Sequence, residues 1–129
     1  MFDDMTSSRP YLIRAIYEWL VENDMTPYLL VGTENQDVIV PEQFIQDGKI
    51  ILNVAPQAVM GLRLGNERVE FSARFSGQSM DVSVPVYAVQ AIYSRENGRG
   101  MVFNDEMDGA TPPEPSPPSD DKPKLKLVK

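Results

Sequence analysis

Neither cysteine nor histidine occurs anywhere in these 129 residues. Without cysteine there is no disulfide framework and no thiolate nucleophile. Without histidine the chain lacks the side chain most used as a general base near neutral pH, which is also the commonest metal ligand. Nucleophilic catalysis would need Ser, Thr or Lys beside an unusual base, and no such constellation is spelled out. Glu67 and Glu70 do not form a catalytic pair, because residues an odd number apart on a strand point to opposite faces. The stretch RENGRG (95–100) lacks the glycine spacing and following helix of a phosphate-binding loop. No enzymatic activity, metal or cofactor is expected. Long apolar runs are missing too. None approaches the roughly 18 residues of a membrane span, and no N-terminal run resembles a signal peptide. The expectation is a soluble cytoplasmic protein with no membrane partner. Basic residues are also few: 12 Lys and Arg against 19 Asp and Glu leave a net charge of -7, which counts against nucleic-acid binding.

What is present divides into two regions. Every aromatic residue lies at or before Phe103, whereas six of the 11 prolines follow it. Residues 105–121 hold six acids and no base; residues 122–129 hold four lysines and no acid. The Pro-rich acidic stretch buries too little apolar surface to offset its ordering entropy, so a disordered, extended linker is expected there. The organisation read from the sequence is a domain over 1–104, a linker over 105–121 and a short peptide over 122–129.

Within the domain, TSSRPYLIRAIYEWLVEN reads as a helix. Ser7 or Ser8 is placed to cap it, and Pro10 sits in the first turn, where its missing N–H costs nothing. Leu12, Ile13, Ile16, Tyr17, Trp19 and Leu20 make a broad apolar arc at helical spacing. Beyond it the periodicity turns to two. YLLVG (28–32), DVIV (37–40), a strand after the Asp47-Gly48 turn, a hairpin about Gly65-Asn66, the Met80-Val82-Val84 alternation and a hairpin with Asn97-Gly98 at its tip give six or seven short strands. The expected fold is mainly β, a small Sm-like barrel or two-sheet sandwich with one N-terminal helix.

Three features point to binding. Tyr11 and Ala15 lie off the main helical arc, and the small Ala15 would let a second copy of the helix approach closely in an isologous dimer. LNVAPQAV and FSARFSG combine small residues with Asn53, Gln57 and Arg74, a composition suited to a groove for an extended peptide. The third is KLKLVK, where Leu125, Leu127 and Val128 alternate or adjoin with lysines, as a merely solubilising tail does not require.

The strings RPYLIRAIYEWLVEN–TPYLLV, DGKIILNVAPQAV, FSARFSG–VSVPV, AIYSRENGRGMVF and KLKLVK closely resemble the stringent starvation protein B family, SspB adaptors of the ClpXP protease. The resemblance covers almost the whole domain and then the final residues, and it implies an adaptor that delivers ssrA-tagged polypeptides to the ClpX unfoldase. It places a homodimer face on Tyr11, Ala15 and their neighbours Leu12, Glu18 and Trp19. It places a tag groove around Asn53, Ala55, Ala58, Val59, Ala73, Arg74, Phe75, Ser76, Gly77 and Met101. It assigns docking on the ClpX N-terminal domain to Lys124, Leu125, Lys126, Leu127, Val128 and Lys129, and it extends the partner list to the ribosome. The linker, about 17 residues, is short for the family, and SGQS (76–79) replaces a different turn at the groove edge. An RNA-binding Sm-like regulator is the competing reading. The domain up to Asn104, with 8 bases and 13 acids, argues against it.

Overall fold

The computed structural model describes residues 5–34 and 36–103. It opens with helix α1, Arg9–Glu22. Of the two candidate caps, Ser7 does the work: its hydroxyl accepts from the Arg9 N–H at 3.0 Å, while Ser8 at the N-cap position makes no side-chain cap. The C-terminus closes in a Schellman arrangement, with Asp24 at a φ of 60° and the N–H groups of Asp24 and Met25 donating to the carbonyls of Val21 and Leu20. Asp tolerates this left-handed position better than most residues.

Seven strands follow: β1 Pro27–Gly32, β2 Lys49–Asn53, β3 Val59–Leu64, β4 Arg68–Phe75, β5 Gln78–Pro85, β6 Val89–Ser94 and β7 Gly100–Val102. They form two antiparallel sheets, one ordered β2-β1-β6-β7 and the other β3-β4-β5. The sheets do not close on each other. Of the two architectures read from the sequence, the two-sheet form with one N-terminal helix is the one adopted, and the barrel is not. DVIV is also corrected: residues 37–40 form no strand, only a single bridge of Ile39 to Ser83. That bridge carries two backbone hydrogen bonds of 2.8 and 3.0 Å and covers part of the outer edge of β5.

The core lies between the sheets and under the helix. Leu29 and Val31 of β1, Ile50 and Leu52 of β2, Val69 and Phe71 of β4, Val82 and Val84 of β5 and Ile92 of β6 pack in one cluster with Ile13 and Leu20 of α1. On β1, β2, β4 and β5 the buried residues alternate, as the strand period requires. Trp19, grouped by helical spacing with the core arc, is instead 45% exposed.

Two polar devices fix the helix to the sheets. Arg9 is buried, and its guanidinium donates to the carbonyls of Tyr87 (3.0 Å) and Val89 (2.9 Å) while lying over the Phe103 ring at 5.5 Å. At the other end the Glu96 carboxylate accepts from the Thr26 N–H (2.8 Å) and hydroxyl (2.7 Å). This ties the β6–β7 turn to the start of β1. These hydrogen bonds hold the Glu96 carboxyl down at about 2, well below its ordinary 4.5.

The expected linker, 105–121, and the expected docking peptide with Lys124, Leu125, Lys126, Leu127, Val128 and Lys129 lie outside the described residues.

Candidate functional site

The two hairpins of the three-stranded sheet build a cleft. At the β4–β5 turn, Ser76 and Gly77 have φ values of 53° and 84°. A two-residue turn with both central residues left-handed matches the twist of the flanking strands. It sets Phe75 opposite Gln78 and Arg74 opposite Ser79. On the other side β4 pairs with β3, Val59 opposite Ala73 and Met60 opposite Ser72, until the register slips between Met60 and Arg63. Gly61, with φ 67°, sits in that bulge. The chain enters β3 through a tight turn in which the Ala58 N–H donates to the Ala55 carbonyl at 2.8 Å. Asn53 shapes the same turn, its side-chain oxygen accepting from the Ala55 N–H at 2.9 Å.

These elements frame a cleft of about 360 Å³ lined by Gln57, Ala58, Val59, Met60, Ser72, Ala73, Arg74 and Ser79. Ala58 and Ala73 present only methyl groups. Gln57, Ser72, Ser79 and Arg74 supply amide, hydroxyl and guanidinium groups around them. Ser72 also donates to Asp81 at 2.6 Å, so acidic and basic groups both border the cleft. β3 is an edge strand, and among the described residues no other strand pairs with its outer side. Such an edge offers backbone donors and acceptors to an extended chain.

Four groove residues named from the sequence therefore meet at one cleft: Ala58, Val59, Ala73 and Arg74. The other six do not line it. Asn53 and Ala55 form the turn beneath, Ala55 being buried. Phe75 is half-buried with its ring centroid 5.5 Å from that of Phe44. Ser76 and Gly77 are the exposed turn beyond the cleft's end. Met101 is half-buried on β7, opposite Ile92, and packs on the core. Of the lining residues, Gln57 belonged to the wider sequence reading; Met60, Ser72 and Ser79 were missed. Their signal was the cross-strand register, which places Ser72 beside Met60 and Ser79 beside Arg74.

The helix bears a second surface. Tyr11, 50% exposed, Ala15, Glu18 and Trp19 face outward, whereas Leu12 is half-buried and packs on the core. The Arg14 guanidinium lies over the Tyr11 ring at 4.7 Å and donates to the Leu64 carbonyl at 2.8 Å. One side chain thus links the outward helix face to the strand bordering the cleft. Among the described residues no cluster of His, Cys, Asp and Glu could hold a metal ion, and no helix is long and apolar enough to cross a membrane.

The class of protein that the fold defines is a two-sheet antiparallel β domain with one N-terminal helix, carrying a small-residue cleft beside the outer strand β3. The particular family is given by comparison: the family model described as Stringent starvation protein B matches residues 7–129, and the chain belongs to that family. A protein of Haemophilus influenzae named Stringent starvation protein B homolog is 47% identical over 98 residues. That stretch covers 76% of this chain and 65% of the relative's length, so the chain spans less than two thirds of the relative.

Proposed function

We propose that this protein is a non-catalytic adaptor that binds ssrA-tagged polypeptides in the β3–β4 cleft and tethers them to the ClpX unfoldase. The observation that carries this reading is the meeting of Ala58, Val59, Ala73 and Arg74 around one cleft at a free strand edge. Methyl floors admit side chains of an extended peptide, the strand edge takes its backbone, and the polar rim fixes its direction. The tail, residues 122–129, docks on the ClpX N-terminal domain, with Leu125, Leu127 and Val128 as anchors. Burying a leucine on a partner is worth about 1.5–3 kcal/mol, against about 1 kcal/mol or less for an exposed lysine. Two weak contacts carried on one chain raise each other's effective concentration, so together they hold more tightly than either alone. The outward face at Tyr11, Ala15, Glu18 and Trp19 forms a homodimer that presents two clefts and two tails. The setting is the cytoplasm, and association with the ribosome would bring the adaptor near newly tagged chains.

Titration of a fluorescent tag peptide tests the cleft: saturable binding to the wild type, competed by unlabelled tag and not by an RNA oligomer, is expected. Equal binding of a scrambled peptide would sink the reading. For delivery, removing the last six residues should leave tag binding unchanged and abolish enhanced degradation at low substrate. For the dimer, Tyr11→Glu with Ala15→Glu places like charges about a two-fold axis and should halve the mass in equilibrium sedimentation.

A further inference from the structure

A second cleft lies away from the peptide site, between the end of β1 and the segment that bridges to β5. It measures about 490 Å³. Its apolar residues include Val38, Val40 and Ile45, each half-buried and packed on the core. Two carboxylates, Glu34 and Glu42, border it, and no basic residue is among its lining. Ile39, also lining it, is 57% exposed. An apolar floor with an acidic rim fits a peptide in which apolar and basic residues alternate. The chain contains such a peptide: KPKLKLVK, residues 122–129, which holds four of the five lysines in the sequence.

The topology brings the two within reach. Thr33, which lines the cleft, follows the last residue of β1. Val31 of β1 pairs with Val89 of β6, and the Phe103 N–H donates to the carbonyl of Gln90 at 2.8 Å. The Gln90 side chain lies directly over Gly32. Phe103 and Thr33 therefore leave the same end of the four-stranded sheet with only β6 between them, two strand spacings or about 10 Å apart. Eighteen residues, 104–121, join Phe103 to the lysine-rich segment, a contour of up to about 60 Å that exceeds this distance several times over. The encounter is intramolecular, which raises its effective concentration, so weak complementarity suffices for occupancy.

We propose that the cleft framed by Val38, Val40, Ile45, Glu34 and Glu42 is an intramolecular dock for residues 122–129. The tail is held against its own domain by lysine–carboxylate pairing and leucine burial, and any outside partner of the tail must compete with this contact. The proposal stands apart from the adaptor reading, because it concerns the isolated chain with no tag and no unfoldase present.

The absence of cysteine makes the test direct. Lys129→Cys in the full chain gives one attachment point for a nitroxide, whose proximity broadens amide signals. The expected result is loss of signal at the amides of Val38, Val40 and Ile45, recovered on reduction of the label. The loss should also diminish with Glu34→Gln plus Glu42→Gln and with added salt, which screens exposed charges. Spin-labelled chains without isotope, mixed with isotope-labelled chains without spin label, separate contacts between chains from contacts within one. Three outcomes overturn the proposal: broadening no stronger at this cleft than elsewhere, broadening unchanged in the double Gln variant, or broadening seen only between chains. The first would mean that this cleft is no preferred contact of the tail.

Discussion

The two sheets share one core but end differently. On the four-stranded sheet the inward row stays buried along its length: Leu29 and Val31 on β1, Ile50 and Leu52 on β2. The three-stranded sheet begins in the same way, with Val69 and Phe71 of β4 and Val84 and Val82 of β5 buried. Further along, the next inward positions, Ala73, Phe75 and Met80, are only half-buried. Packing is looser toward the Ser76-Gly77 turn, and Ala73, where the loosening begins, also borders the cleft. One sheet is closed by the helix, the Arg9 contacts and the Glu96 clip. The other is only half-buried at its Ser76-Gly77 end, beside the outer strand β3. Apolar burial at that end of the β4–β5 hairpin is accordingly lower than in the rest of the core.

That contrast is sharpest in stability. Leu52→Ala removes a fully buried side chain from the closed sheet and should cost about 2–5 kcal/mol, read as a shift in the urea midpoint at constant slope. Met60→Ala, at a residue 76% exposed on the open edge, should fall within about 0.5 kcal/mol. Comparable losses would mean that the β3 edge is packed as tightly as the core. Ala73→Gln fills the cleft floor. It should weaken tag binding about 5- to 150-fold, as a clash of about 1–3 kcal/mol implies. If the domain melts far lower while binding per folded molecule is unchanged, Ala73 serves the core alone.

Much of this was legible before the structure. The helix, most of the strands, the hairpin turns and the closed-sheet core follow from periodicity and Gly-containing turns, which are local signals. Trp19 was misplaced in the arc because spacing alone did not settle which side of a broad apolar face meets the sheets. DVIV is β-rich in composition, yet only Ile39 finds a partner, at Ser83 of β5. The burial of Arg9 has no local signal, because it depends on carbonyls at Tyr87 and Val89, about eighty residues away. The cleft was half legible. The small residues marked β3 and β4, but Met60, Ser72 and Ser79 join it through pairing register, which no single segment encodes. Leu12 was set in the apolar arc by helical spacing and on the outward face by the family resemblance; it is half-buried and packs on the core, as the spacing required.

A smaller effect is expected at the turn that ends the cleft. Gly77 has φ 84°, and a Cβ there would meet nothing within 4 Å. Gly77→Ala therefore tests backbone conformation alone and should cost roughly 1–2 kcal/mol. Any loss of tag affinity would show that the turn geometry, and not side-chain space, sets the cleft's end. Unchanged affinity would confine recognition to the residues lining the cleft.

The last comparison is electrostatic and concerns the closed sheet. Glu96 has its carboxyl held at about 2 in the folded protein against 4.5 ordinarily, chiefly by the hydrogen bonds from Thr26. A group whose folded value is depressed binds its proton more readily when unfolded. Its stabilisation is therefore fully present above about pH 4.5 and is lost as pH falls from 4.5 toward 2. The carboxylate is exposed to solvent, so the contribution is modest and salt-sensitive. Glu96→Gln should lower stability at neutral pH, because the Thr26 N–H and hydroxyl lose a charged acceptor. It should also decline less steeply than the wild type across that acidic window. Denaturation curves measured from pH 7 to pH 2 on both proteins give the difference free of the other carboxylates, which titrate in each alike. Converging curves in acid support the clip; curves that run parallel throughout would show that Glu96 carries no folding-linked proton and that the turn is held by its backbone bonds alone.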